Sequence, residues 1–204
     1  MPAIQKIQTA KAALRKSMQK KLSTLSREEK LNQTERVLKN LFSLPVFRKS
    51  ERISVYLSTD DEISTVPILK EIFDNNKTCF VPRYNKNVME MVKLESMKDW
   101  EALPVTKWNI KQPHLSEIRE NALESGGLDL VIIPGVAFTV NGDRLGHGKG
   151  YYDSFLTSIS KLQSLQPIKI ALAFQEQVMK EIPIENHDVK MDLVLYSNAN
   201  VATI

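Results

Sequence analysis

Apolar residues recur at helical spacing through the first forty positions. Ile4, Ile7, Ala10, Leu14, Met18 and Leu22 follow the 3.6-residue period, which predicts an amphipathic helix over 4–22. Ser26-Arg-Glu-Glu29 is a capping box, so a second helix is expected from Ser26, with Leu31, Val37, Leu38 and Leu41 on its apolar face and Pro45 helping to end it. The pattern then changes. Ile53–Leu57 reads as a short buried strand that runs into the acidic turn Ser58–Glu62. A helix is expected from about Thr65 to Asn75, then a strand over Thr78–Val81 closed by Pro82-Arg83-Tyr84. Strand, helix and strand within about 30 residues make a βαβ unit, with parallel pairing and a right-handed crossover. Val88–Leu94 alternates and predicts a half-exposed strand.

Residues 95–125 are the least regular, and so long a loop in a compact domain is functional or wraps the surface. Leu128–Ile133 is a continuous apolar run, the mark of a central parallel strand. A helix from Tyr151 to about Leu165 places Tyr152, Phe155, Leu156 and Ile159 on one face, and Ile168–Phe174 and Leu193–Tyr196 are further strands. The fold class expected is α/β: a mostly parallel twisted sheet with helices on both faces, three layers deep, plus an N-terminal helical pair. One domain is expected over 1–204, with helices 4–41 packed on it. In such sheets ligands sit at the carboxyl ends of strands, where Asp60–Glu62, Arg83–Tyr84, the segment after Ile133 and the loop near Asp188 could meet.

Composition narrows the class without naming a task. The 204 residues, 42% hydrophobic and 25% charged, suit an ordinary globular protein. The single cysteine, Cys79, rules out an internal disulfide and fits a reducing compartment. It reads as strand core, since no His or Asp pattern accompanies it as a nucleophile. No run of about 18 apolar residues and no signal-like h-region is present. A cytoplasmic location without membrane association is expected, with mitochondrial import as the alternative. The net charge of +4 is uneven: residues 1–27 hold no acid but carry Lys6, Lys11, Arg15, Lys16, Lys20, Lys21 and Arg27. This describes a solvated basic face, a transit peptide, or a helix presenting cations to an anionic ligand. Lys11 and Arg15, four apart, share a helical face.

The candidate chemistry lies between Asn141 and Asp153, which hold four of the chain's seven glycines. Arg144 and Lys149 bracket Gly146, Gly148 and Gly150, and bare amides with fixed positive charge suit phosphate oxygens. The spacing is not a Walker A loop, because residue 143 is Asp and Lys149 is followed by Gly150. Nor is it a Rossmann fingerprint: the glycines run GxGxG, several residues beyond their strand, and no acid closes the strand that follows.

The run Asn-Gly-x-Arg-Leu-Gly-x-Gly-Lys-Gly-Tyr-Tyr-Asp over 141–153 resembles the signature of the 5-formyltetrahydrofolate cyclo-ligase family. The resemblance extends through Lys11–Arg15, Leu57–Glu62, Val81–Tyr84, Trp108–Ile110, Gly127–Leu130, Ile133–Gly135 and His187-Asp188 to Asp192. Gly126–Leu130 and Ala171–Gln177 point to the eukaryotic form. The resemblance implies ATP- and Mg²⁺-dependent cyclisation of 5-formyltetrahydrofolate to 5,10-methenyltetrahydrofolate. It implies ATP binding by Lys11, Arg15 and the loop Arg144, Leu145, Gly146, His147, Gly148, Lys149, Gly150, Tyr151 and Tyr152, with Arg144, Lys149 and Tyr151 catalytic. It implies folate contacts from Leu57, Glu62, Trp108 and residues 147–151, and metal binding by Asp153 and Asp188, with Asp192 a nearby substitute for the latter. Strand core for Leu57, a loop anchor for Trp108 and a helix cap for Asp153 are the structural alternatives.

His147 departs from the pattern, since many relatives carry arginine there. A neutral imidazole has one donor where guanidinium has five and a permanent charge. Rate or affinity is therefore expected to fall as pH rises through its titration. His114 and His187 are expected in surface or loop roles. Two other functions compete: a small-metabolite kinase using the same loop, and an RNA- or phosphate-binding module using the basic helix. The second lacks an interleaved aromatic and basic surface, so nucleic acid is not an expected partner. A monomer is expected.

Overall fold

The computed structural model describes residues 3–85, 88–106 and 110–199, the side chains of 3 and 4 excepted. Trp108 therefore lies outside the described residues. Two N-terminal helices, α1 (Ala3–Leu22) and α2 (Arg27–Ser43), precede a short α3 (Pro45–Lys49). Ser26 caps α2, its side chain accepting from the Glu29 N–H at 3.1 Å. The buried stripe of α2 is Gln33, Thr34, Val37, Leu38 and Leu41, whereas Leu31 is 53% exposed. The helix is turned toward Gln33 because that amide is used: it donates to Glu29 and Glu176 and accepts from the Gln175 N–H. Pro45 opens α3 at its first turn, where its missing N–H costs nothing.

The main sheet has six strands in the order β3 (Val88–Leu94), β2 (Thr78–Asn85), β1 (Arg52–Val55), β4 (Leu130–Ile133), β7 (Ile168–Leu172), β9 (Leu193–Leu195). Only the β2–β3 pair is antiparallel. All four residues of β4 are buried, as a central parallel strand requires. Helix α4 (Val66–Asp74) links β1 to β2, and α6 (Tyr151–Leu162) lies between β4 and β7. Right-handed crossovers running outward in opposite directions put α4 and α6 on opposite faces, giving three layers. The buried face of α6 is Tyr152, Phe155, Leu156 and Ile159.

Several boundaries differ from expectation. β2 continues through Pro82 to Asn85 instead of stopping at Val81, because β3 pairs with it along that length, Pro82 opposite Met91. Its pairing with β1 ends at Phe80, so on that side no ladder bond is lost to the proline. Residues 95–125 contain a helix, α5 (Met97–Ala102), capped by Ser96. A second, three-stranded sheet joins β5 (Ala137–Thr139), β6 (Arg144–Leu145) and β8 (Val178–Met179) beyond the end of β4. Gln177, 2% exposed, fastens this sheet to that end by donating to the carbonyls of Gly135 at 2.8 Å and Val136 at 3.2 Å.

Candidate active site

The crossovers diverge between β1 and β4, and the crevice beyond the carboxyl ends of these strands is where a ligand fits such a sheet. The chain leaving β1 forms one wall. Leu57 is buried, and the turn after it is closed by Thr65 and Ser58, the Thr65 N–H donating to Ser58 Oγ at 3.1 Å. Glu62 accepts through Oε2 from the Thr59 N–H at 2.8 Å and the Thr59 hydroxyl at 3.1 Å, so one carboxylate oxygen holds the turn. The other, Oε1, lies 3.3 Å from His147 Nε2. Lys30 of α2 steadies the same turn through the Asp60 carbonyl and Asp61.

The glycine loop forms the facing wall. The β5–β6 hairpin carries Arg144 beneath the loop, 6% exposed, where Nη2 donates to Asp153 Oδ2 at 2.8 Å and Nη1 to the Pro134 carbonyl at 3.3 Å. The Arg144 Nε is buried without a partner among the described residues. A Cβ at Gly146 would come 2.8 Å from Arg144 Nη1, which explains the glycine there. Gly150 caps α6 with φ of +69°, and Gly148 has φ of +97°, both in the left-handed region that a side chain would strain. The first turn of α6 thus opens toward the loop and favours anions. Arg15 of α1 donates to the Gly146 carbonyl at 2.8 Å. Lys149 is exposed, and its ammonium has no partner among the described residues. Leu145 is core.

Three carboxylates gather beside this loop. Lys11 Nζ lies 2.6 Å from Asp188 Oδ2 and 2.9 Å from Glu185 Oε2. Burial pulls the Lys11 pKa down, but the hydrogen bonds and charges of Asp188 and Glu185 outweigh it, and the value is raised. Asp153 Oδ1 accepts from the Val189 N–H at 3.2 Å, so Asp153 and the Asp188 loop adjoin. The Met191 N–H donates to the Gly142 carbonyl at 2.8 Å, tying that loop to the hairpin that bears Arg144. Asp192 faces elsewhere: it binds the Lys169 N–H and ammonium, both at 2.7 Å, at the amino end of β7. His187 is exposed, about 4 Å from Glu185 and Asp188.

Tyrosines fill the space between the walls. The Tyr84 and Tyr151 rings lie 4.9 Å apart, tilted by 53°. Tyr56 donates to the Ile63 carbonyl at 2.9 Å. Tyr152 is buried, and its hydroxyl makes no well-formed hydrogen bond among the described residues. Burial first, and the Glu62 charge as well, raise Tyr56, Tyr84 and Tyr152 above the ordinary phenol value, so all three are neutral. The crevice therefore pairs a cationic, amide-rich end suited to a polyanion with an aromatic, carboxylate-bearing end suited to a flat heterocycle.

Comparison with known proteins agrees. Residues 7–197 match the 5-formyltetrahydrofolate cyclo-ligase family. The chain belongs to that family. It is 43% identical over 195 residues to the 5-formyltetrahydrofolate cyclo-ligase of Mus musculus, covering 95% of this chain and 96% of that one. It is 38% identical over 198 residues to a probable 5-formyltetrahydrofolate cyclo-ligase of Caenorhabditis elegans, covering 96% of each. The NMR structure of Aquifex aeolicus 5,10-methenyltetrahydrofolate synthetase superposes with a TM-score of 0.75 at 30% identity, over 93% of this chain and 90% of that one.

Within this cyclo-ligase fold, residues singled out in sequence from 11 to 188 come together around one crevice. Sequence reasoning placed Arg83–Tyr84 at the ligand end of the sheet without giving Tyr84 a role of its own. It missed Glu185, which had no signal beyond its proximity to Asp188. Cys79 is fully buried, and burial raises its thiol pKa, which suits core rather than chemistry.

Proposed function

We propose that the protein is a 5-formyltetrahydrofolate cyclo-ligase that uses ATP and Mg²⁺ to form 5,10-methenyltetrahydrofolate, ADP and phosphate. The observation that carries this reading is the 3.3 Å approach of His147 to Glu62, which joins the anion-suited loop to the aromatic and carboxylate wall. A γ-phosphoryl group on the loop and a pterin on the wall would then be neighbours.

The chemistry needs that proximity. A formamide oxygen leaves poorly, so N10 does not close the ring unaided. The oxygen attacks the γ-phosphorus, ADP departs, and an N5-iminium phosphate results. N10 attacks the formyl carbon, loses its proton, and phosphate leaves with the former formyl oxygen. Such catalysis is positioning and charge neutralisation around the phosphoryl group. In this reading Arg144 and Lys149 neutralise charge, and Lys11, Arg15 and the 144–152 backbone hold the triphosphate. Tyr151 orients the reacting groups. Glu62 accepts from pterin N–H groups, and Leu57 and Trp108 are the further folate contacts that the family resemblance implies.

The donor set fits Mg²⁺, which takes one or two carboxylates plus phosphate oxygens and water. Asp153 and Asp188 would hold it, with Glu185 adjacent; both aspartates here carry a protein cation, Arg144 and Lys11. The ion, when bound, supplies charge neutralisation to the phosphates. No described helix is long and apolar enough to cross a membrane, and a cytoplasmic monomer is the accompanying proposal.

The test is incubation with 5-formyltetrahydrofolate, ATP and Mg²⁺ while following methenyl absorbance. Folded protein that makes no product overturns the reading. ATP consumption without methenyl product would instead favour a kinase.

A further inference from the structure

Among the described residues of 103–121 the regular pairing is limited to isolated bridges, Val105 with Lys111 and Asn121 with Val92, yet the segment is fastened beside the site at Tyr84. Tyr84 lies near the end of β2, opposite Met89 of β3. On its other side β1 has already ended, its pairing with β2 stopping at Phe80. The Gln112 carboxamide takes that vacant place: Oε1 accepts from the Tyr84 N–H at 3.0 Å, and Nε2 donates to the Tyr84 carbonyl at 3.2 Å. A primary amide has the donor and acceptor geometry of a peptide group, so one side chain stands in for a neighbouring strand.

The fastening is reinforced on both sides. Arg83, 8% exposed, donates to the carbonyls of His114 at 3.2 Å and Glu117 at 2.7 Å, and pairs with Glu90 at 3.0 Å. Gln112 is held by its own N–H to the Pro104 carbonyl at 3.0 Å. Beyond Tyr84 the chain of contacts enters the site, since its ring meets Tyr151 at 4.9 Å.

Resting on the function proposed above, we infer that Gln112 is a positioning residue for the folate end of the site. It fixes the Tyr84 main chain, hence the Tyr84 ring against Tyr151, and couples both to the 103–121 segment. It acts through Tyr84 and does not contact the reacting atoms.

The test uses the full chain with Gln112→Met, which keeps length but removes both bonds, and Gln112→Glu, which keeps only the acceptor and covers the case in which the first variant fails to fold. Hydrogen exchange at the Tyr84 amide should accelerate about tenfold in Gln112→Met and less in Gln112→Glu. The KM for 5-formyltetrahydrofolate should rise about tenfold in the first and less in the second, with KM for ATP within about twofold of wild type. A merely structural role would move both KM values together. Unchanged KM for the folate, or equal rises in both, in a folded variant of an active wild type overturns the inference alone. A wild type that forms no methenyl product overturns the functional reading and this inference with it.

Discussion

Arg144 Nη2 donates to Asp153 Oδ2 at 2.8 Å, joining the strand that enters the glycine loop to the first turn of the helix that leaves it. Asp153→Ala would strip the counter-charge from an arginine side chain that is 3% exposed. A broken buried pair costs about 3–5 kcal/mol. Asp153 is 19% exposed, and solvent offsets part of that. The expected loss is about 2 kcal/mol, or roughly 4–8 °C in Tm for a chain of this size. Asp153→Asn retains an acceptor and should lose less stability. Both variants should lose methenyl formation. Thermal denaturation beside the absorbance assay checks the pair.

Lys149 offers the opposite combination. Its exposed ammonium has no partner among the described residues, so Lys149→Ala should leave Tm within about 1 °C of wild type. If it neutralises the transferring phosphoryl group, kcat should fall about 10²–10³-fold. A folded Lys149→Ala protein with full activity would remove it from the mechanism.

Alkaline stability should be governed by the phenols between the walls. Tyr56, Tyr84 and Tyr152 have raised pKa values, chiefly through burial. Each folded value lies above the unfolded one, so their stabilisation is fully present below about pH 10 and is lost as pH rises toward the folded values. Lys11, raised by Asp188 and Glu185, loses its contribution in the same direction. Urea midpoints should be level with respect to these groups from neutral pH to about 10 and fall above it. Tyr152→Phe should reduce that fall at little cost near neutrality, because its hydroxyl makes no well-formed bond.

The parts legible in sequence were those that local physics determines. The buried run Leu130–Ile133, the face Tyr152–Ile159 of α6 and the Ser26 cap each carry their pattern within a few residues. The second sheet was not legible, since strands of two and three residues have no measurable period and depend on Val178–Met179, distant in sequence. Pro82 read as a strand end because the sequence does not say where β1 stops. Leu31 read as core because nothing local foretells that Gln33 finds partners on Gln175 and Glu176. Asp188 and Asp192 looked interchangeable in one loop, yet one faces Lys11 and the other Lys169. In the site, the glycine loop was legible as a motif, whereas the closure of Glu62 onto His147 is a tertiary fact.

That closure makes His147 the most informative substitution. Its side chain is 61% exposed and approaches Glu62, which is 10% exposed. An imidazole has at most two donors, where guanidinium has five and a permanent charge. In the proposed mechanism His147→Arg adds fixed positive charge and donors to the loop, so its KM for ATP should fall. The measurement is kcat and KM for ATP at saturating folate, for both proteins at matched ionic strength. Arginine could instead hold Glu62 so tightly that the carboxylate no longer serves the pterin; KM for 5-formyltetrahydrofolate would then rise in the variant. An unchanged KM for ATP in His147→Arg would show that charge at this position plays no part in nucleotide binding.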